Sequence, residues 1–198
     1  MTVIEAGQLA GNVIRLVPLA EEHKLELKKL LHNPQIWEYT WRQISSEEEA
    51  GQLVDTALAN GAVGKEIPYV MVEQASGRIV GTTRLMHLDR THRNAEIGCT
   101  WITPEYWRTA VNTESKLLLL QYAFEVLGLI RVDFSIVSHN LRSQRAIERI
   151  GAVREGVLRK HRITAHGAVM DNVLYSIIDE EWPVVKKNLQ YLVNEKYK

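Results

Sequence analysis

The chain has 198 residues, 45% hydrophobic and 24% charged, and its 24 Lys+Arg offset 24 Asp+Glu to a formal net charge of zero. This composition excludes a disordered polymer, and the charge balance argues against a dedicated DNA binder, which carries a strongly basic domain. A single cysteine, Cys99, excludes an internal disulfide and a Cys-based zinc site.

Val13–Leu19 alternates apolar and polar residues until Pro18 interrupts it, which predicts a short first strand. Glu21–Leu31 is rich in helix formers and stops at His32-Asn33-Pro34. Ser46-Glu47-Glu48-Glu49 reads as a capping box, and Ala50, Leu53, Val54, Ala57 and Leu58 form one face of a second helix that ends at Asn60-Gly61. Tyr69–Glu73 and Ile79–Leu88 predict a hairpin about Ala75-Ser76-Gly77-Arg78. In Ala95–Ile102, strict alternation puts Ala95, Ile97, Cys99 and Trp101 on one face and Glu96, Gly98, Thr100 and Ile102 on the other. A long helix is expected from Asn112 or Thr113 to Gly128, with Leu117, Leu120, Phe124 and Leu127 as its buried stripe, widened by Leu118 and Leu119. Ile130–Val137 is a strand, Leu141–Ile150 a helix closed by Gly151, and Val153–Leu158 and Val169–Ile178 are two more strands. A C-terminal helix over 180–193 completes an α/β (α+β) pattern around one central sheet. With no repeat and no linker, one domain over 1–198 with a core at about 13–178 is expected. The opening segment MTVIEAGQLAGNVIRL has no basic stretch followed by a long apolar run, and no segment approaches the roughly 20 apolar residues of a membrane span. A cytoplasmic protein with no membrane partner is the expectation.

Two junctions carry chemistry. Trp101–Lys116 runs from a strand through a loop into a helix, which aims backbone N–H groups and the positive helix end at one point, suited to a pyrophosphate. Ser138–Gly151 repeats the arrangement with Asn140 and Ser143 at the helix entry, where helix capping alone would also explain both. From Arg131 to Arg162, eight basic residues face three acids, a surplus that fits a phosphate-bearing ligand or a solvated face.

These residues resemble the GNAT superfamily of N-acetyltransferases, in the branch that includes ribosomal-protein N-terminal acetyltransferases. The similar segments are Ile79-Val80-Gly81, Ala95-Glu96-Ile97-Gly98, Pro104-Glu105-Tyr106-Trp107, Asn112-Thr113-Glu114, Tyr122-Ala123-Phe124-Glu125, Asn140-Leu141-Arg142-Ser143, Gly151–Gly156 and Asp171–Ser176. They follow the family's order from about Ile14 to Ile178. The resemblance implies the GNAT fold: a single mixed, mostly antiparallel sheet with helices on both faces. It also implies acetyl-CoA as cosubstrate, no metal, and an amine acceptor, either a small molecule or the N-terminus of a ribosomal or other protein.

The resemblance places Ile102, Thr103, Arg108, Thr109, Ala110, Val111, Asn112, Thr113, Asn140 and Ser143 at the cofactor. The family carries glycines where this chain has Arg108, Ala110 and Asn112. A backbone N–H in Trp101–Thr103 is expected to hold the oxyanion. Ser143 is the candidate proton donor to the thiolate, because Ile147 stands where many relatives have a tyrosine. Glu96 is the first candidate base and His161 the second, with water a third route; an ion pair of Glu96 with Arg84 is the competing structural role. Trp37, Tyr39 and Trp41 fall in the segment expected to line the acceptor pocket, where three aromatics can clasp a substrate, anchor a core or form a homodimer contact. Cys99 is expected to be packing rather than a nucleophile. Two readings stay open: a transferase, or a catalytically silent module of this fold that binds an acyl-CoA or a protein partner.

Overall fold

The computed structural model describes residues 7–196. Strands β1 (Leu9–Ala10), β2 (Ile14–Pro18), β3 (Glu66–Glu73), β4 (Ile79–Asp89), β5 (Asn94–Ile102), β6 (Arg131–Val137), β7 (Val153–Ile163) and β8 (Val169–Ile178) form one sheet. Its order is β1-β2-β3-β4-β5-β6-β8-β7, and every pairing is antiparallel except β5 with β6. The helices are α1 (Lys24–Leu31), α2 (Glu47–Ala62), α3 (Ala110–Gln121), α4 (Leu141–Ile150) and α5 (Trp182–Tyr191). None is long and apolar enough to cross a membrane among the described residues.

Both faces are covered, each by its own apolar cluster. Leu27 and Leu31 of α1 and Ala50, Leu53 and Val54 of α2 pack on Val70, Val72, Ile79 and Trp101. On the other face, Leu119 and Leu120 of α3, Ile147 and Ile150 of α4, and Val185 and Leu189 of α5 pack on Tyr69, Met71, Leu85, Ile97 and Phe134. Local chemistry sets the helix ends. The Ser46 hydroxyl accepts from the Glu49 N–H at 3.1 Å, but the Glu49 carboxylate reaches back to the Ser45 N–H at 2.7 Å, one residue outside the expected box. Gly151 ends α4 at φ 107°, a left-handed conformation that costs other residues strain.

Several elements depart from the sequence expectation. Strand β1 is additional, β3 starts three residues early at Glu66, and β7 runs on to Ile163. The α2 helix continues to Ala62, past Asn60-Gly61. The α3 helix begins at Ala110 and its last turn widens into a π-helix over Tyr122–Val126. Its buried side is Leu119, Leu120, Ala123 and Phe124, whereas Leu117, Leu118 and Leu127 of the expected stripe are only partly buried.

The largest correction concerns β5. Its register against β4 slips between Thr82↔Trp101 and Arg84↔Gly98, and Cys99 sits at φ 47°. This bulge inserts one residue and inverts the alternation beyond it. Ala95 and Ile97 therefore share the α3 face with Ile102, whereas Trp101 and Cys99 pack on the α1/α2 side.

Candidate active site

Strands β5 and β6 pair at only three positions, Asn94↔Arg131, Ala95↔Val132 and Glu96↔Asp133. Past these pairs the two strands share no register, so the sheet opens as a wedge toward their carboxyl ends. The α3 and α4 helices begin just beyond those ends, at Ala110 and Leu141, and present first-turn N–H groups at the mouth. Open α/β sheets bind ligands at such a divergence.

The wedge edge can be traced atom by atom. The Thr103 N–H donates to the Val80 carbonyl at 3.0 Å, which turns it toward β4. Of Trp101–Thr103, strand alternation then leaves Ile102 with its N–H and C=O facing the wedge. The Ile102 carbonyl accepts the Trp107 indole N–H at 2.8 Å, placing Trp107 at the mouth. Thr103 is thereby removed as an oxyanion donor.

In the loop that follows, Arg108 is exposed at φ 63°, a conformation that glycine adopts without strain. The Thr109 hydroxyl donates to the Tyr106 carbonyl at 2.7 Å and accepts from the Val111 N–H at 3.3 Å, capping α3. Ala110 and Val111 are buried, so their side chains turn away from the solvent side on which a phosphate would lie. Thr113 is buried and accepts from Arg149 at 3.1 Å, which makes it structural. The Asn112 carbonyl accepts the Ser115 hydroxyl. At the other helix, the Asn140 side chain accepts the Ser143 N–H at 3.0 Å. Asn140 is thus the cap, and the Ser143 hydroxyl, half-buried, has no hydrogen-bond partner among the described residues. The free N–H groups, the open strand edge and this uncommitted hydroxyl fit a pyrophosphate-bearing thioester; no group of three or more metal-ligating side chains occurs among the described residues.

The sheet face under α1 and α2 holds the acceptor candidates. Glu96 is largely buried and meets His87 Nδ1 at 3.2 Å, not Arg84, whose guanidinium bonds Glu66 at 3.0 Å. Burial pushes the Glu96 carboxyl above its usual range; His87 and Arg162 pull it back in part. Gly98 leaves room for it, since a Cβ there would lie 2.5 Å from Met86 Cε and 3.3 Å from Glu96 Oε1. Burial likewise raises the pKa of the Cys99 thiol, consistent with packing and not with a nucleophile.

The three aromatics separate. Trp37 is 3% exposed, donates to the Leu31 carbonyl at 2.7 Å and stacks on Trp101 at 4.9 Å, so it anchors the core and does not line a pocket. Tyr39 lies under the Arg142 guanidinium at 5.3 Å, which also covers Trp107 at 4.0 Å. Trp41 is half-buried, with Arg42 at 4.7 Å and Arg162 at 5.6 Å from its ring. His161 sits where the β7 register slips, and its Nδ1 is buried without a partner. Burial, then Arg162, lowers its pKa, which holds it neutral.

A profile of the acetyltransferase (GNAT) domain matches residues 14–153. The chain belongs to the GNAT acetyltransferase family. Among its relatives is the uncharacterized N-acetyltransferase YoaA of Bacillus subtilis (strain 168), 30% identical over 140 residues, 71% of this chain and 78% of that protein. The FsC-acetyl coenzyme A-N(2)-transacetylase of Aspergillus fumigatus is 30% identical over 197 residues, 94% of this chain and 83% of that one. A solved GCN5-related N-acetyltransferase from Brucella melitensis superposes with a TM-score of 0.88 at 28% identity, covering 98% of this chain and 89% of that one. The protein is accordingly an acetyltransferase of the GNAT fold, and enzymes of this family draw the acetyl group from acetyl-CoA.

Other residues gain roles that periodicity did not reveal. Glu114, 2% exposed, accepts the Asn12, Val13 and Ile14 N–H groups at 2.7–2.8 Å and so pins β2 to α3. Lys116, 4% exposed, donates to the Thr100 hydroxyl at 2.7 Å, which pairs with Thr83 at 2.8 Å. The basic surplus is not one patch. Arg131 is neutralised by Asp133 and Glu155, Arg142 lies at the wedge mouth, and Arg162 lies on the acceptor side.

Proposed function

We propose that the protein transfers acetyl from acetyl-CoA directly to a primary amine, with both substrates bound at once. The acceptor is a protein N-terminus or a small amine. The observation that carries this reading is the wedge between β5 and β6, which in this reading takes the thioester from the side of Ser143 and the amine from the side of Glu96. The transacetylase name of one relative and the fold's sheet divergence support it.

In this reading Arg108, Thr109 and the first-turn N–H groups of α3 hold the pyrophosphate, and Ile102 N–H lines the wedge. Glu96 takes the proton from the incoming ammonium, because a carboxyl of raised pKa is a stronger base than an exposed one. The N–C bond forms and the C–S bond breaks. The Ser143 hydroxyl gives its proton to the departing thiolate and regains one from solvent, while the second proton shed by the amine nitrogen leaves to solvent. Neutral His161 is the second base candidate, on the edge strand β7, three strands from β5 in the sheet order.

The test is release of CoA thiol from acetyl-CoA across a panel of amines and N-terminal peptides, together with acetyl-CoA binding. Release with an amine supports transfer; binding without release from any acceptor points to a silent acyl-CoA-binding module. For Ser143, the Ser143→Ala variant is expected to lower kcat about 100-fold while acetyl-CoA affinity stays unchanged. An unchanged kcat removes Ser143 from proton transfer.

A further inference from the structure

Two arginines on the acceptor side lack a carboxylate partner. Arg42 and Arg162 form no ion pair within 4 Å among the described residues, although both are half-buried. They come from distant segments: Arg42 from the stretch between α1 and α2, Arg162 from the end of β7. The two segments are tied where His166 at the β7–β8 turn meets Gln43 at 2.8 Å. Both guanidinium groups lie against the Trp41 ring, Arg42 at 4.7 Å and Arg162 at 5.6 Å, and Arg162 Nε is buried without a hydrogen-bond partner.

The surrounding charges do not compensate them. Arg84 is spent on Glu66. Glu96 is within electrostatic reach of Arg162 but is bonded to His87. A cavity of about 260 Å³ adjoins Arg42, and its one lining carboxylate, Glu49, is held by the Ser45 N–H and hydroxyl. A cation withdrawn from water without a partner is costly, and two held together are costlier. The guanidinium fork matches a planar carboxylate.

We infer that the acceptor is an amine that also bears a carboxylate, which Arg42 and Arg162 clamp over Trp41 while its amine faces Glu96. This rests on the transfer reading above and narrows its substrate. The carboxylate can belong to a free amino acid or to an acidic side chain near a peptide N-terminus; the shared chemistry is an amine and a carboxylate in one molecule.

Two matched comparisons decide it, each read as CoA release with the intact protein and acetyl-CoA. The first sets free amino acids against their carboxamides; the second sets N-terminal dipeptide amides with Asp at the second position against those with Asn. In at least one pair the acid is expected to exceed its neutral partner in kcat/KM by about 10- to 100-fold, the loss typical of a hydrogen bond to a charged group. The pair that shows it identifies the source of the carboxylate. In Arg42→Met and Arg162→Met that ratio is expected to fall toward one, with KM for acetyl-CoA unchanged. Should either variant fail to fold, the wild-type ratio stands as the deciding measurement. Release with no preference for the acid in either pair, or a ratio unmoved in folded variants, overturns the clamp and leaves acetyl transfer standing. No release from any amine overturns both.

Discussion

At the scale of single residues, the polar groups buried in this protein divide into those that are satisfied and those kept ready for chemistry. Glu114 satisfies three backbone donors and is structural. Glu96 is different: burial raises its pKa, and the exposed His87, with Arg162, opposes the shift only in part. As the proposed base it must be ionised, so kcat/KM is expected to climb with pH through an apparent pKa above the usual carboxylate range. Glu96→Gln should flatten that limb and lower kcat by about 100-fold or more. His87→Ala removes a partner of the ionised form and should move the limb to higher pH; a pH–rate profile of the three proteins checks all of this. Lys116 poses the opposite problem. Burial lowers its pKa from 10.5 to about 7, with Thr100 as its partner. Between those two values the unfolded chain holds the extra proton, so stability rises with pH across that window and is least below it. Lys116→Met should remove that slope and raise stability at pH 6 by roughly 2–4 kcal/mol. Denaturant midpoints measured against pH would reject the idea if the slope persisted.

At the scale of elements, the strand-to-helix loop before α3 contains no glycine, and the strain collects at one position. Arg108 holds the left-handed conformation, while Ala110 is an ordinary buried first residue of the helix. Arg108→Gly is therefore expected to stabilise the fold by about 1 kcal/mol, the usual cost of that conformation for a residue with a side chain. The same change removes a cation from the mouth, so acetyl-CoA should bind more weakly even as the melting temperature rises. A melting temperature that falls would show that Arg108 contributes contacts worth more than its strain. The β5 bulge is the second element-level device. By inserting Cys99 at positive φ it sends Trp101 to the α1/α2 core and Ile102 to the α3 core. Strict alternation over Ala95–Ile102 missed this, because the residue at positive φ is Cys99, one position after the glycine at which the register slips.

Across the whole molecule, the wedge divides the sheet into a five-stranded and a three-stranded part joined by three register pairs. Edges that lack a partner exchange their amides readily. Acetyl-CoA is expected to protect the amides of Ile102, of Phe134–Val137 and of the first turns of α3 and α4 in hydrogen exchange, with little change in β2–β3. Uniform protection, or none at the wedge, would contradict binding there. The mouth itself is bridged by Arg142, stacked on Trp107 from the end of β5 and on Tyr39 from the segment after α1.

Much of this was legible beforehand. Local patterns carried the elements: the Ser46 cap, the α4 limits at Leu141 and Gly151, and the β8 span were all read correctly, because periodicity and capping act between near neighbours in the chain. The order of motifs carried the GNAT family, and the profile match agrees with it. The tertiary structure decided what depends on distant segments meeting. It put Trp37 in the core, took Arg84 from Glu96 and gave it to Glu66, and buried Lys116 against Thr100. It also brought Arg42 and Arg162 against the ring of one tryptophan. Burial and charge pairing are properties of a place in space, and residues 120 positions apart share no local signal that they will occupy the same place.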